Sequence, residues 1–288
     1  MTRSGRARIL PVWVASAVGL VHSACSAETP AGGDERLQVV VTVAPLAGLV
    51  DRVAPGISRV TVMIPAGGSP VTYEPTLSRV RAASSADLYV AVAHPAFAWE
   101  TTWLSGLVRQ DEVPVISSAD GCDVIPDDPH VWLSLPCARS IAERIARAVQ
   151  RARPEAAESV AASLADLMEE MNDMRRVADS TLEPHRGGGF IVLHPAWGYL
   201  ARDYDLQQMA ILVHGAGDAG PAELATIVNQ GRARGLADVV VQPQFSMEPA
   251  RLVANELGGE TVMLDPLARD WAASFGDAVR VLAEQARP

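Results

Sequence analysis

The run EAAESVAASLADLMEEMNDMRRVADSTL, residues 155–182, decides the fold. It is rich in the strong helix formers Ala, Glu, Leu and Met, and neither Gly nor Pro interrupts it. Val160, Leu164, Leu167, Met171, Met174 and Val177 recur at three- and four-residue steps, which lays one apolar stripe along a single helix. At 1.5 Å per residue that helix reaches on the order of 40 Å, enough to span a domain. The stripe is short and Met-rich rather than a sustained heptad, so a strut between two bodies is a better reading than a coiled-coil arm. Pro154 separates it from an earlier helical stretch over 137–149.

On both sides of the strut, apolar runs alternate with helical ones. Strands are expected over 37–44, 60–64, 88–93 and 113–117 before it, and over 190–193, 208–213, 239–242 and 261–264 after it. These runs are nearly continuously apolar, as in parallel sheets covered on both faces. Helices are expected over 46–53, 97–108, 196–202, 221–234, 247–257 and 271–285. The pattern gives an α/β protein of two lobes, 37–154 and 185–288, each a parallel-type sheet flanked by helices, bridged by one long α-helix over 155–184. No sequence repeat relates the halves.

With 288 residues, 49% of them apolar, the chain can give each lobe a core. Its net charge of -10 argues against nucleic acid and anionic lipid as partners, and 5% aromatic residues leave no base-stacking surface. Residues 1–27 read as an export signal: Arg3, Arg6 and Arg8 precede an apolar run over 9–20, too short to span a bilayer comfortably. Cys25, after Ser23 and Ala24, resembles a bacterial lipidation site and would tether the protein to a membrane. His22 stands where that pattern prefers leucine, so cleavage after Ala27 is the alternative. Residues 28–36 are small and polar and read as a flexible tether. Cys122 and Cys137 lie 15 residues apart. A disulfide, a pair of buried thiols and soft metal ligands are all open readings.

Three segments place a metal-capable side chain beside a proline: Asp128-Pro129-His130, Leu193-His194-Pro195 and Leu264-Asp265-Pro266. In parallel α/β sheets ligands collect beyond the carboxyl ends of strands, which is where His194 and Asp265 fall. The following proline holds each of these two backbones extended. Two imidazoles and a carboxylate suit zinc or manganese. Around them Trp132, Trp197 and Tyr199 read as packing, where a ring can orient a ligand histidine. Gln242-Pro243-Gln244 reads as strand-end backbone geometry, and Asp123, Asp127 and Asp128 as a solvated acidic loop. His185 and His214 read as surface residues.

The stretches PAGGSPVTYEP (65–75), DPHVWL (128–133), VLHPAWGY (192–199), QPQFS (242–246) and LDPL (264–267) run in family order over roughly 37–285. They resemble the metal-binding solute-binding proteins of zinc and manganese ABC importers, the cluster A-I or cluster 9 family. The resemblance implies two α/β lobes bridged by one rigid helix, with the metal in the cleft between them. It implies His130, His194 and Asp265 as ligands, an exported monomeric receptor, and the membrane permease of an ABC importer as partner. A histidine at the position of His194 favours Zn2+, since manganese members more often carry a carboxylate there. Two departures stand out. The family's Ser-Pro-His ligand falls on Val71, which cannot coordinate, and only 119–127 occupies the place of the His/Asp/Glu-rich loop found in many zinc members.

Zinc held structurally takes four ligands, while three plus water is the catalytic arrangement. His94 follows the run 88–93 and precedes Pro95, repeating the pattern of His194-Pro195, and is the candidate replacement. Glu74, Glu100 and water are the others. Zn2+ or Mn2+ capture for an importer is the leading function. A degenerate relative with weak binding, acting as chaperone, sensor or adhesin, is the second reading. A zinc hydrolase using the open position is the third, although no His-Glu-x-x-His helix, Gly-x-Ser-x-Gly elbow or evident general base supports an enzyme.

Overall fold

The computed structural model describes Met1 and residues 36–109, 112–212 and 220–287. The export signal, Cys25, the tether before Arg36 and His214 lie outside the described residues. In the N-terminal lobe β1 (Leu37–Val41), β2 (Ser58–Val62), β3 (Leu88–Ala91) and β4 (Val115–Ser117) form a parallel sheet in the order β2-β1-β3-β4. In the C-terminal lobe β5 (Gly189–Val192), β6 (Gln207–Ala210), β7 (Val239–Val241) and β8 (Thr261–Met263) pair in parallel as β6-β5-β7-β8. The lobes therefore share one strand order although no repeat is visible in the sequence.

The helices are α1 (Ala44–Val53), α2 (Leu77–Ser84), α3 (Ala98–Leu107), α4 (Leu135–Ala152), α5 (Ala157–Leu182), α6 (Gly198–Asp203), α7 (Pro221–Arg234), α8 (Glu248–Leu257) and α9 (Trp271–Gln285). Of these α2 escapes sequence reading for a physical reason. Only Ala83 of its residues is buried and Leu77 is exposed, so it carries no apolar stripe.

The continuous apolar strands are explained by what they touch. Phe190 and Val192 of β5 enter the larger core, whereas Ile191 and Leu193 face a second cluster with Leu236, Val239, Val241 and Val253. Both faces are covered, so every position is apolar. The larger core runs from the first sheet through α4, α5 and α9 into the second, and Arg36–Pro288 form one compact unit.

The strut α5 packs on α1, α4 and α9. Val160, Leu167 and Met171 are buried, with Leu164 and Met174 partly so. Val177, expected in the stripe, is instead 61% exposed, and Ala178 is buried in its place. At 3.6 residues per turn, Ala178 lies five whole turns beyond Val160, while Val177 is rotated about 100° off that line.

Hydrogen bonds from two tryptophans stitch the lobes. Trp132 Nε1 donates to the Pro266 carbonyl at 2.8 Å, and Trp271 Nε1 donates to the Trp132 carbonyl at 2.7 Å. Arg269 grips Asp51 with two bonds of 2.9 and 3.1 Å. Beside it Gly48 is required, because a Cβ there would sit 1.9 Å from the Arg269 carbonyl oxygen. The strut register is testable by chemical denaturation. Leu167→Ala is expected to lower stability by about 2–5 kcal/mol, whereas Val177→Ala should change it by less than about 0.5 kcal/mol.

Candidate metal centre

In each sheet the strand order reverses direction beside the first strand, between β1 and β3 and again between β5 and β7. Crevices form at such switch points. His194 follows β5 and Gln242 follows β7, and the Gln242 amide spans the second crevice. Its Oε1 accepts from the His194 N–H at 3.3 Å and its Nε2 donates to the His194 carbonyl at 2.7 Å. The His194 ring stacks on Phe245 at 4.5 Å. Two residues past Gln242, Gln244 Nε2 donates to Asp265 Oδ1 at 2.7 Å, and the same oxygen accepts from the Leu267 N–H at 2.9 Å. The QPQ segment, read from sequence as backbone geometry, thus acts through both glutamine side chains, each gripping a candidate ligand residue.

His130 sits at the entry of a 3-10 turn, Val131–Leu133. Asp128 Oδ1 accepts from the His130 N–H at 2.9 Å and lies 2.7 Å from its Nδ1. That contact places the proton on Nδ1 and leaves Nε2 as the ring's acceptor nitrogen, as in a carboxylate-oriented metal-binding histidine. Asp128 is 6% exposed, which corrects the expectation of a solvated acidic loop. Its Oδ2 presses on Gly198 at the start of α6, where a Cβ would meet it at 2.3 Å.

One candidate from each lobe meets the other. The rings of His130 and His194 lie edge to face, centroids 5.3 Å apart, and Trp132 flanks His130 at the same centroid distance. Among the described residues no three His, Cys, Asp or Glu side chains are gathered into a ready-made cage, so Asp265 and His94 are not drawn onto that pair. Val71 is 76% exposed.

His94 is 2% exposed. It follows Ala93, whose φ of 54° lies in the left-handed region that non-glycine residues rarely adopt. Glu100 holds this turn, accepting from the Val92 and Ala93 N–H groups at 2.7 and 2.6 Å and from the Thr42 hydroxyl. Burial pushes the Glu100 carboxyl up, opposed by those three donors. His94 Nδ1 accepts from the Ala96 N–H at 3.1 Å, and its Nε2 has no partner of ordinary hydrogen-bond geometry. A buried polar atom left so costs roughly 1–3 kcal/mol. Burial pulls the His94 pKa down and His130 pushes the same way, against the backbone of Ile125 and the carboxylates of Asp128 and Asp127.

The loop carrying Asp128 and His130 is fastened on two sides. Tyr199 Oη accepts from the Ile125 N–H at 2.9 Å, and Arg202 bonds the Asp123 carbonyl while covering the Tyr199 ring at 5.0 Å. Cys122 and Cys137 are joined as a disulfide, with Cα atoms 5.3 Å apart.

A family model described as zinc-uptake complex component A, periplasmic (ZnuA), matches residues 39–285. The chain belongs to that family. It is 27% identical over 275 residues to the zinc-binding lipoprotein AdcA of Streptococcus pneumoniae (strain ATCC BAA-255 / R6), covering 88% of this chain and 54% of that protein. The chain thus spans about half the length of that relative. Against the high-affinity zinc uptake system protein ZnuA of Bacillus subtilis (strain 168), identity is 22% over 283 residues, covering 89% of this chain and 88% of that one. A crystal structure of ZnuA superposes with a TM-score of 0.80 at 28% identity, over 87% of this chain and 99% of that one. The two parallel sheets joined by a long helix are the fold these proteins share.

Two substitutions probe the orienting contacts. Asp128→Ala, which removes the carboxylate that orients His130, and Gly198→Ala, whose added Cβ displaces it, are each expected to weaken zinc binding by about 10–100-fold, with circular dichroism unchanged. Replacing both Cys122 and Cys137 by serine opens a ring of about 15 residues and should lower stability in chemical denaturation by about 3 kcal/mol.

Proposed function

We propose that this chain is an exported, monomeric receptor that captures Zn2+, and secondarily Mn2+, between its two lobes and delivers it to the membrane permease of an ABC importer. The approach of His130 and His194 from opposite lobes carries the reading. In it His130 binds through Nε2, its Nδ1 proton being held by Asp128. Asp265 supplies Oδ2, since the hydrogen bonds from Gln244 and Leu267 to its carboxylate both fall on Oδ1. The metal is cargo, and the chain's work is coordination rather than catalysis.

Family membership and the zinc-binding names of the relatives support this reading over a hydrolase. Two imidazoles with one carboxylate favour zinc over manganese, which prefers oxygen ligands. Among the described residues no helix is long and apolar enough to cross a membrane.

Calorimetric titration of the metal-stripped protein tests the proposal. One zinc ion is expected to bind per chain, more tightly than manganese, and His130→Ala should abolish tight binding. Binding requires neutral imidazoles, so zinc affinity should fall as pH drops through the histidine range near about 6.5. Absence of stoichiometric zinc binding, or an unchanged His130→Ala variant, contradicts the proposal.

A further inference from the structure

Deepening the zinc-receptor reading and resting on it, we infer that His94 supplies the N-terminal-lobe ligand that Val71 cannot. The other protein side chains weighed for this corner are poorly placed. Glu74 is exposed, and Glu100 is buried with its oxygens engaged by Thr42 and two backbone amides. His94 is 2% exposed and its Nε2 makes no hydrogen bond of ordinary geometry, although the Ile125 backbone acts on the ring. Buried polar atoms are rarely left without a well-formed bond, and such an imidazole nitrogen beside a candidate metal site is available to an ion.

Its surroundings point the same way. Ile125, Asp127, Asp128 and His130 all act on the His94 ring, so it lies beside the loop that carries the first-lobe candidate ligand. The turn that puts it there is held in an unfavoured backbone conformation at Ala93 by a buried carboxylate. Such conformations persist where surrounding contacts enforce them and gather at functional sites.

Coordination asks for a defined rearrangement. With Nδ1 accepting from the Ala96 amide, the resting proton is on Nε2. Binding through Nε2 moves that proton to Nδ1 and releases the Ala96 N–H, so no proton is lost overall. One neutral hydrogen bond is exchanged for one metal–nitrogen bond. The His94 ring and the His130–His194 pair then close on the ion, giving three imidazoles and one carboxylate, a tetrahedral zinc set.

The test titrates the metal-stripped full chain with zinc chloride, comparing wild type with His94→Ala, His130→Ala and the double variant Val71→His/His94→Ala. His94→Ala is expected to bind zinc at least about tenfold more weakly, the least that loss of a residue which merely orients a ligand costs. Val71→His should restore affinity in the His94→Ala background, because it returns a histidine to the corner from another loop. Cobalt(II) provides a second readout: the strong visible absorption of a four-coordinate site should fall in His94→Ala and return in the double variant. If His94→Ala does not fold, as judged by circular dichroism, His94→Gln replaces it. Unchanged zinc affinity and cobalt spectrum without His94, beside a weakened His130→Ala, overturn this inference alone. Failure of the wild type to bind zinc overturns the receptor reading and this inference together.

Discussion

The arrangement depends on the reciprocal tie between Trp132 and the Pro266–Trp271 segment. Trp132 follows His130 by two residues, and Pro266 follows Asp265 directly, so the bond from Trp132 Nε1 to the Pro266 carbonyl joins the backbones that carry two candidate ligands. Trp271 returns a bond to the Trp132 carbonyl. Both indoles are buried, where an unmade N–H bond would be costly, which makes the tie an enforced feature. The apolar core running through α4, α5 and α9 surrounds this tie and makes one body of two sheets.

On that frame, each candidate ligand is aimed by a neighbour rather than by its own element. Asp128 turns His130, the Gln242 amide fixes the His194 backbone, Gln244 holds Asp265, and Glu100 holds the turn before His94. Gly198 lets α6 lie directly on Asp128, so the aim of a first-lobe histidine depends on a second-lobe helix. In the proposed receptor, candidate ligands carried by loops of both lobes would let a partner that shifts one loop weaken several metal bonds at once.

Much of this is legible in the sequence because it follows from periodicity. The 155–182 stripe announces the strut, and the continuous apolar runs announce sheets covered on both faces. What escapes is what depends on partners distant in the chain. Val177 and Ala178 exchange places because helical phase accumulates over five turns, and α2 is unseen because it buries almost nothing. Gln242, Gln244 and Asp128 look like loop residues until folding brings His194, Asp265 and Gly198 against them. Gln242 and Gln244 stand 48 and 21 positions from the residues they grip, so no local signal marks them, whereas Asp128 stands two positions from His130 in Asp-Pro-His.

The central claim is that one ion bridges the lobes between His130 and His194. A crystal of the zinc-loaded protein, measured at the zinc absorption edge, locates that ion directly. The account predicts a single anomalous peak bonded to a ring nitrogen of each histidine at about 2.0–2.1 Å. A peak bonded to neither histidine, or to those of only one lobe, would contradict it.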